Sequence, residues 1–417
     1  MLVERERRVG GHARSFRKQG FTFDVTGHWL HVRDDRTRAL LGELFDADAW
    51  ATIDRKTTIW SHGAELAYPF QANLHGLPLE VVQECLVAFI HARVAAEARG
   101  RAPKTFVEFA TDRFGEGIAR HFFIPYNTKL WGMNPDELTA DWVSRFIPLP
   151  DDAQIIGGAL GLRQEGLGYN AHFSYPKAGG IDALPEALRA AYEAFDAAQG
   201  RLETECEVEE IDLARRRVKL STLDEPQAFS ELVSTLPLPE LIARIDGAPA
   251  HVRDAAAALR WVRWRYLDLA SAAACPRDWH WSYVPERRYP FFRVGCYSNA
   301  MAANAPEGAS ALYVELEDRD NAPNMAEVVQ GLVEMGALGR PEDVVFADLR
   351  DVEYAYVVFD DAHAEATATL HAWLDAQGIR SCGRYGAWIY NSMEDSMLQG
   401  MEAARWASAP RSVGGNA

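Results

Sequence analysis

The chain opens on Met1-Leu2-Val3, a short apolar run closed by the acid Glu4. A charged turn follows, then Val9-Gly10-Gly11 and Arg14. No other stretch narrows the possible folds as much. In a dinucleotide-binding unit an acidic residue ends the second strand, and its carboxylate accepts both ribose hydroxyls. Two adjacent glycines let backbone pass close to a diphosphate with no Cβ in the way. A planar, permanently charged guanidinium such as Arg14 suits that diphosphate. Glu4, Gly10, Gly11 and Arg14 are therefore candidate nucleotide contacts. On these residues alone, a surface strand with a Gly-Gly turn reads equally well.

At 417 residues the chain has room for two or three packed units. Its formal net charge of −17 disfavours nucleic acid and anionic membrane as general partners. The five cysteines, Cys85, Cys206, Cys275, Cys296 and Cys382, form no Cys-x-x-Cys. That argues against a disulfide framework and a zinc site, and for a reducing, cytoplasmic compartment. No apolar run is long enough for an integral membrane segment. The partner expected is a small-molecule substrate, and the oligomeric state is not legible.

Along the chain, a helix is expected from about Pro78 to Arg99, with Val82, Leu86 and Ile90 in one stripe and Val81, Cys85 and Phe89 beside it. A second helical stretch ends at Phe123-Ile124-Pro125. Residues 151–174, rich in glycine, read as a mobile loop or an exposed connection. Residues 205–211 and 217–220 read as a hairpin, Leu232 to Pro237 as a short buried strand ending in a turn, and 255–320 as a sheet walling a cavity. The tail from Ser408 reads as disordered.

Four stretches carry further chemistry. Gly27-His28-Trp29-Leu30-His31 holds two histidines three apart, with no third metal ligand. Tyr126-Asn127-Thr128-Lys129-Leu130-Trp131-Gly132 is followed by Asn134-Pro135-Asp136-Glu137-Leu138 and Arg145-Phe146-Ile147-Pro148. Tyr175-Pro176-Lys177-Ala178-Gly179-Gly180 leads into a helix, where free N–H groups suit an anion. Finally, Ile379 to Met397 carries Gly383-Arg384 and then a helix.

Together these stretches resemble the flavin amine oxidase and protoporphyrinogen oxidase-like superfamily, with motifs similar to UDP-galactopyranose mutases. The resemblance implies FAD rather than NAD. It places the Val208 backbone at the adenine and Gly179-Gly180 against the isoalloxazine. It sets Gly383, Arg384, Asp395 and Ser396 at the diphosphate and pyrimidine side of the flavin. Arg145 and Arg293 stand where the mutases keep arginines for a nucleotide diphosphate, and Tyr356 and Tyr390 near positions that contact phosphate. His28 and His31 match the mutases' Gly-x-His-x-x-His, although the residue after Gly27 is already histidine. Leu130 stands where the mutases have Gln.

The fold implied is α/β. A Rossmann-like FAD-binding domain (1–34, 172–240, 345–410) joins a helical cap (35–171) and a substrate-domain sheet (241–344). No Gly-x-Gly-x-x-Gly precedes Glu4, so the expectation is of a domain without its first β-α unit. The expectation is that Met1 is not the native start, and that this form binds FAD poorly and aggregates. Three functions follow. The first is an FAD-dependent oxidoreductase on an unidentified organic substrate. The second is a mutase-like isomerase in which reduced flavin attacks a sugar's anomeric carbon. The third is a truncated, non-catalytic relic. No catalytic acid or base is singled out, and no metal.

Overall fold

The computed structural model describes the chain except residues 141, 144–146, 163, 165, 166, 168–170, 196–200 and 410–417, and gives only the backbone of 96–99. Arg145 therefore lies outside the described residues, as do Gly166, Gly168 and most of the tail.

Near the N-terminus, Leu2–Val3 pairs in parallel with Leu202–Glu203. A second parallel pair joins Leu232–Ser234 to Ile379–Ser381. Parallel partners far apart in sequence need crossover connections, which is how α/β units are built. The hairpin read from alternation is present: Val208–Asp212 runs antiparallel to Arg217–Leu220, and Gln227–Ala228 adds a third strand.

The largest element is a seven-stranded sheet of mixed orientation. Its centre is Trp261–Ser271, Ser310–Leu316, Phe291–Cys296 and Trp281–Tyr283, in that order. Two strands from the region read as helical cap, Thr57–Ser61 and Ala64–Ala67, complete one edge. Thr57–Ser61 gains its place by parallel pairing to Trp281–Tyr283. The other edge is Val344–Val357, antiparallel to Trp261–Ser271, although nearly all of that strand was read as part of the nucleotide-binding unit. Ser310–Leu316 is buried on both faces.

The helix Leu79–Arg99 begins after Pro78 and stops at Gly100, which takes φ +66°. Its buried stripe is Val81, Cys85 and Phe89, four residues apart, whereas Ile90 is half exposed. The expected stripe is thus one position off, because the packing partner decides which face turns inward. That partner is Phe106–Ile118, whose Gly117 lies so close that a Cβ would sit 2.7 Å from Cys85 Cα. The helical path does not end at Pro125. A π-turn over Ala119–Phe123 runs directly into Ile124–Trp131, so Pro125 sits within a continuous helical path.

Residues 151–174 also depart from expectation. Asp152–Ala159 is a helix with an Asp151–Gln154 capping box. Gly158 is there because a Cβ would strike Ala72 O at 1.8 Å, so packing, not looseness, explains the glycine. No described helix is long and apolar enough to cross a membrane.

Candidate functional site

A cavity of about 1510 Å³ runs through the molecule, from the N-terminal strand to the face of the large sheet. At one end stand the residues of the opening motif. The Glu4 backbone continues the strand ladder, its N–H on Glu203 O at 2.8 Å, while its carboxylate accepts the Glu6 N–H at 2.8 Å. Gly10 takes φ +105°, and a Cβ on it would lie 2.6 Å from Pro185 Cγ. Gly11 follows at φ +57° with open space around it. Arg14 sits 3.7 Å from Glu6, and its buried Nε has no hydrogen-bond partner.

Val208 lines the same end, its carbonyl accepting from Arg244 Nε at 2.8 Å. From the C-terminal side come Gly383 and Arg384, which follow Ile379–Ser381. The long helix does not begin at Gly383. A single short turn, Gly383–Gly386, comes first, and Met393–Ser408 starts on a capping box. There Ser392 Oγ accepts the Asp395 N–H, and Asp395 Oδ2 accepts the Ser392 N–H. Asp395 and Ser396 line the cavity in the first turn, where helix amides favour an anion.

Arg384 is the most unusual side chain at this end. Its guanidinium lies between the rings of Tyr356 and Tyr390, at 4.8 and 4.6 Å. It donates to Asn391 O at 2.8 Å, has no carboxylate in an ion pair among the described residues, and keeps a buried, unpartnered Nε. Both polar side-chain atoms of Asn391 are likewise buried without a partner. Each such group costs on the order of 1–3 kcal/mol if left unmatched. A nucleotide with phosphates and a hydrogen-bonding ring system would match them, so the residues present fit FAD.

Gly179 and Gly180 are placed differently. Neither is among the residues that line the cavity. A Cβ at Gly180 would meet Ser15 Oγ at 2.2 Å and Asp24 Oδ1 at 2.8 Å. The turn is seated on Asp24, which accepts from Ser15 Oγ (2.6 Å), Tyr175 OH (2.7 Å) and the Ile181 N–H (3.1 Å).

The other end is walled by one face of the large sheet. Trp281 and Tyr283 alternate onto it, and Arg293 stands opposite Tyr283. Arg293 is clasped by Glu315, with Nε and Nη2 each 2.6 Å from a carboxylate oxygen. Tyr356 and Tyr390, which hold Arg384 between their rings, lie between the two ends and meet hydroxyl to hydroxyl at 3.3 Å. His28 Nδ1 lies 2.5 Å from Val25 O. A carbonyl only accepts, so Nδ1 carries the proton and Nε2 keeps its lone pair. Burial pushes the His28 pKa down to about 4, and burial lowers His31 as well. His31 makes the same kind of bond, to His172 O at 2.9 Å. His12, pushed down to about 3 chiefly by burial, hydrogen-bonds the Tyr385 hydroxyl at 3.1 Å.

Reading the sequence missed two residues here. Glu315, which fixes Arg293, was visible as a lone charge inside the apolar strand Ser310–Leu316. Arg55 lines the cavity, stacked 4.7 Å from the Tyr68 ring, and no carboxylate pairs with it among the described residues. Its local sequence gave no signal. All five cysteines are free.

A glycine turn with Arg14 at one end of a cavity and an aromatic, cation-lined chamber at the other fit a flavin-type architecture. The chain belongs to the family described as flavin containing amine oxidoreductase, which matches residues 1–264. It is similar to a reduced UDP-galactopyranose mutase at 27% identity, with a TM-score of 0.87, covering 96% of this chain and 88% of that one. A putative protoporphyrinogen oxidase from an Exiguobacterium species shares the fold at 16% identity and TM-score 0.71, covering 98% and 93%. Cyclohexylamine oxidase from Brevibacterium oxydans does so at 16% and 0.66, covering 97% and 92%. The cofactor is FAD.

Proposed function

We propose that this chain is a flavin-dependent isomerase of the mutase type, acting on a nucleotide diphosphate sugar. The observation that carries the reading is Arg293 on the chamber wall, in a chamber lined by cations and neutral histidines. The acids that line the cavity, Glu4, Glu6, Glu207, Glu231, Glu240, Glu353 and Asp395, belong to segments around the nucleotide end. The substrate end presents His28, His31, Arg55 and Arg293, with tyrosines between them. That charge pattern favours an anionic substrate over an ammonium ion.

FAD would be held by Glu4, Gly10, Gly11, Arg14, Val208, Gly383, Arg384, Asp395 and Ser396, with the two parallel strand pairs as parts of a Rossmann-type domain. Bound and reduced, it supplies an electron-rich ring that can act as a nucleophile or hydride donor. The chain's own residues do the rest. Glu315 uses two of the five N–H donors of Arg293 and leaves the Nη1 group for a phosphate oxygen. Tyr356 and Tyr390 offer hydroxyls beside it. His28, neutral, accepts a sugar hydroxyl proton at Nε2 as a hydrogen bond. Trp281, Tyr283 and Trp131 exclude water from the chamber.

The second reading is an oxidoreductase on an uncharged organic substrate, supported by the aromatic lining and the family's name. Incubating the FAD-loaded, dithionite-reduced protein with UDP-galactopyranose and resolving the products by chromatography tests the first. A furanose product is expected. No turnover, together with oxygen uptake on amines, would overturn it.

A further inference from the structure

Lys129 is wholly buried, forms no ion pair among the described residues, and does not line the cavity. Its Nζ is surrounded by four backbone carbonyls: Phe291 at 2.6 Å, Tyr289 at 2.9 Å, Glu286 at 3.0 Å and Val284 at 3.3 Å. Three of these carbonyls belong to the connection between Trp281–Tyr283 and Phe291–Cys296, and the fourth, Phe291, opens the second strand. Val284 directly follows Tyr283, and Phe291 lies two residues before Arg293. Four carbonyl dipoles aimed at one point repel each other unless a cation stands there. The loop's path, and hence the height at which Tyr283 and Arg293 reach the chamber, therefore depends on that ammonium.

The same lysine belongs to Ile124–Trp131, which contributes Tyr126, Asn127, Leu130 and Trp131 to the cavity. The end of that helix is itself tied down, since Arg319 Nη2 donates to Lys129 O and Leu130 O at 2.8 Å. One side chain thus links the two walls of the chamber, and burial pushes its pKa down to about 7.

We propose that Lys129 is a positioning residue that fixes Arg293 against the helical wall through a four-carbonyl cage, and so sets affinity for an anionic substrate. The proposal rests on Arg293 being an anion contact. It assigns Lys129 no contact with substrate.

The test is UDP binding to FAD-loaded protein, followed by the change in flavin absorbance. Lys129→Met should keep FAD and raise the UDP dissociation constant about tenfold or more, as lost charge-assisted contacts do. In an Arg293→Lys background the same change should have less than a twofold effect, because the two residues act as one unit. Lys129→Ala should regain affinity when potassium or methylammonium fills the cage. A Lys129→Met protein that binds UDP within twofold of the wild type overturns the proposal and leaves the functional reading intact. Variants that lose FAD and cooperative melting whatever cation is added assign the lysine to the fold alone, and overturn it too. A wild-type protein that does not bind UDP overturns the functional reading, and this inference with it.

Discussion

Arg293 and Glu315 are register partners on neighbouring antiparallel strands, and their side chains close a two-point clasp with both distances at 2.6 Å. Glu315 is fully buried, while Arg293 keeps one edge toward the chamber. A buried pair of this kind contributes little compared with an apolar replacement of both members, but breaking it strands a charge. Glu315→Gln should therefore cost about 3–5 kcal/mol. Chemical denaturation would show the shift, and a loss under 1 kcal/mol would mean that water already screens the pair.

Replacing the arginine instead probes function. Arg293→Lys keeps a cation for Glu315 but loses the planar fork. UDP binding should weaken by roughly 1.5–3 kcal/mol, the range of a charge-assisted hydrogen bond. An uncharged amine or aromatic substrate should be almost indifferent. Titrations of both proteins with UDP decide the matter, and equal affinities would count against the isomerase reading.

The histidines set a pH expectation. With a pKa near 4 in the fold and 6.5 when free, His28 is neutral throughout the physiological range. The unfolded chain binds the extra proton between these values, so His28 contributes stability fully above about 6.5, lost as pH falls through 4. Turnover should show no inflection from His28 between pH 5 and 8. A bell limb near 6.5 that disappears in His28→Gln would refute a permanently neutral ring.

What could be read from the sequence was what is local. Pro78 and Gly100 bracket a helix because each has a backbone preference that acts within its own turn. Arg217–Leu220 alternates because one face is wet. The pairing of Thr57–Ser61 with Trp281–Tyr283 left no trace, since the partner lies far along the chain and the strand is short. The seat of Gly180 was equally hidden: a glycine under a ligand and a glycine under Ser15 look alike in sequence. Which neighbour fills the missing Cβ space is a tertiary fact.

Asp24 gives the opposite pH behaviour from His28. Burial pushes its carboxyl up to about 7, against the three hydrogen bonds that pull it down. Its folded value lies above the ordinary 3.8, so its contribution to stability is complete below that value and is lost as pH rises to about 7. Asp24→Asn should flatten the stability curve over that window, by an amount on the order of a few kcal/mol. Thermal melts from pH 4 to 8 measure it. An unchanged slope in the variant would place the titration elsewhere.

The two glycines of the opening motif look interchangeable but should not behave alike. Gly11 sits at φ +57° with nothing within 4 Å of an added Cβ. An alanine there meets only the left-handed backbone penalty, roughly 1–2 kcal/mol. Gly10 sits at φ +105°, and its Cβ would press on Pro185 at 2.6 and 2.8 Å. Pro185 lies in the first turn of Ala183–Phe195, and Pro185 and Leu188 of that helix both line the cavity. Relief must come from moving that helix or the turn that carries Arg14, and either displaces the nucleotide end. Gly10→Ala should therefore release FAD as well as lower the melting temperature, whereas Gly11→Ala should mainly lower the melting temperature. The ratio of flavin to protein absorbance after gel filtration separates the two. If Gly10→Ala keeps its flavin and Gly11→Ala loses it, backbone approach at Gly11, not packing at Gly10, holds the cofactor.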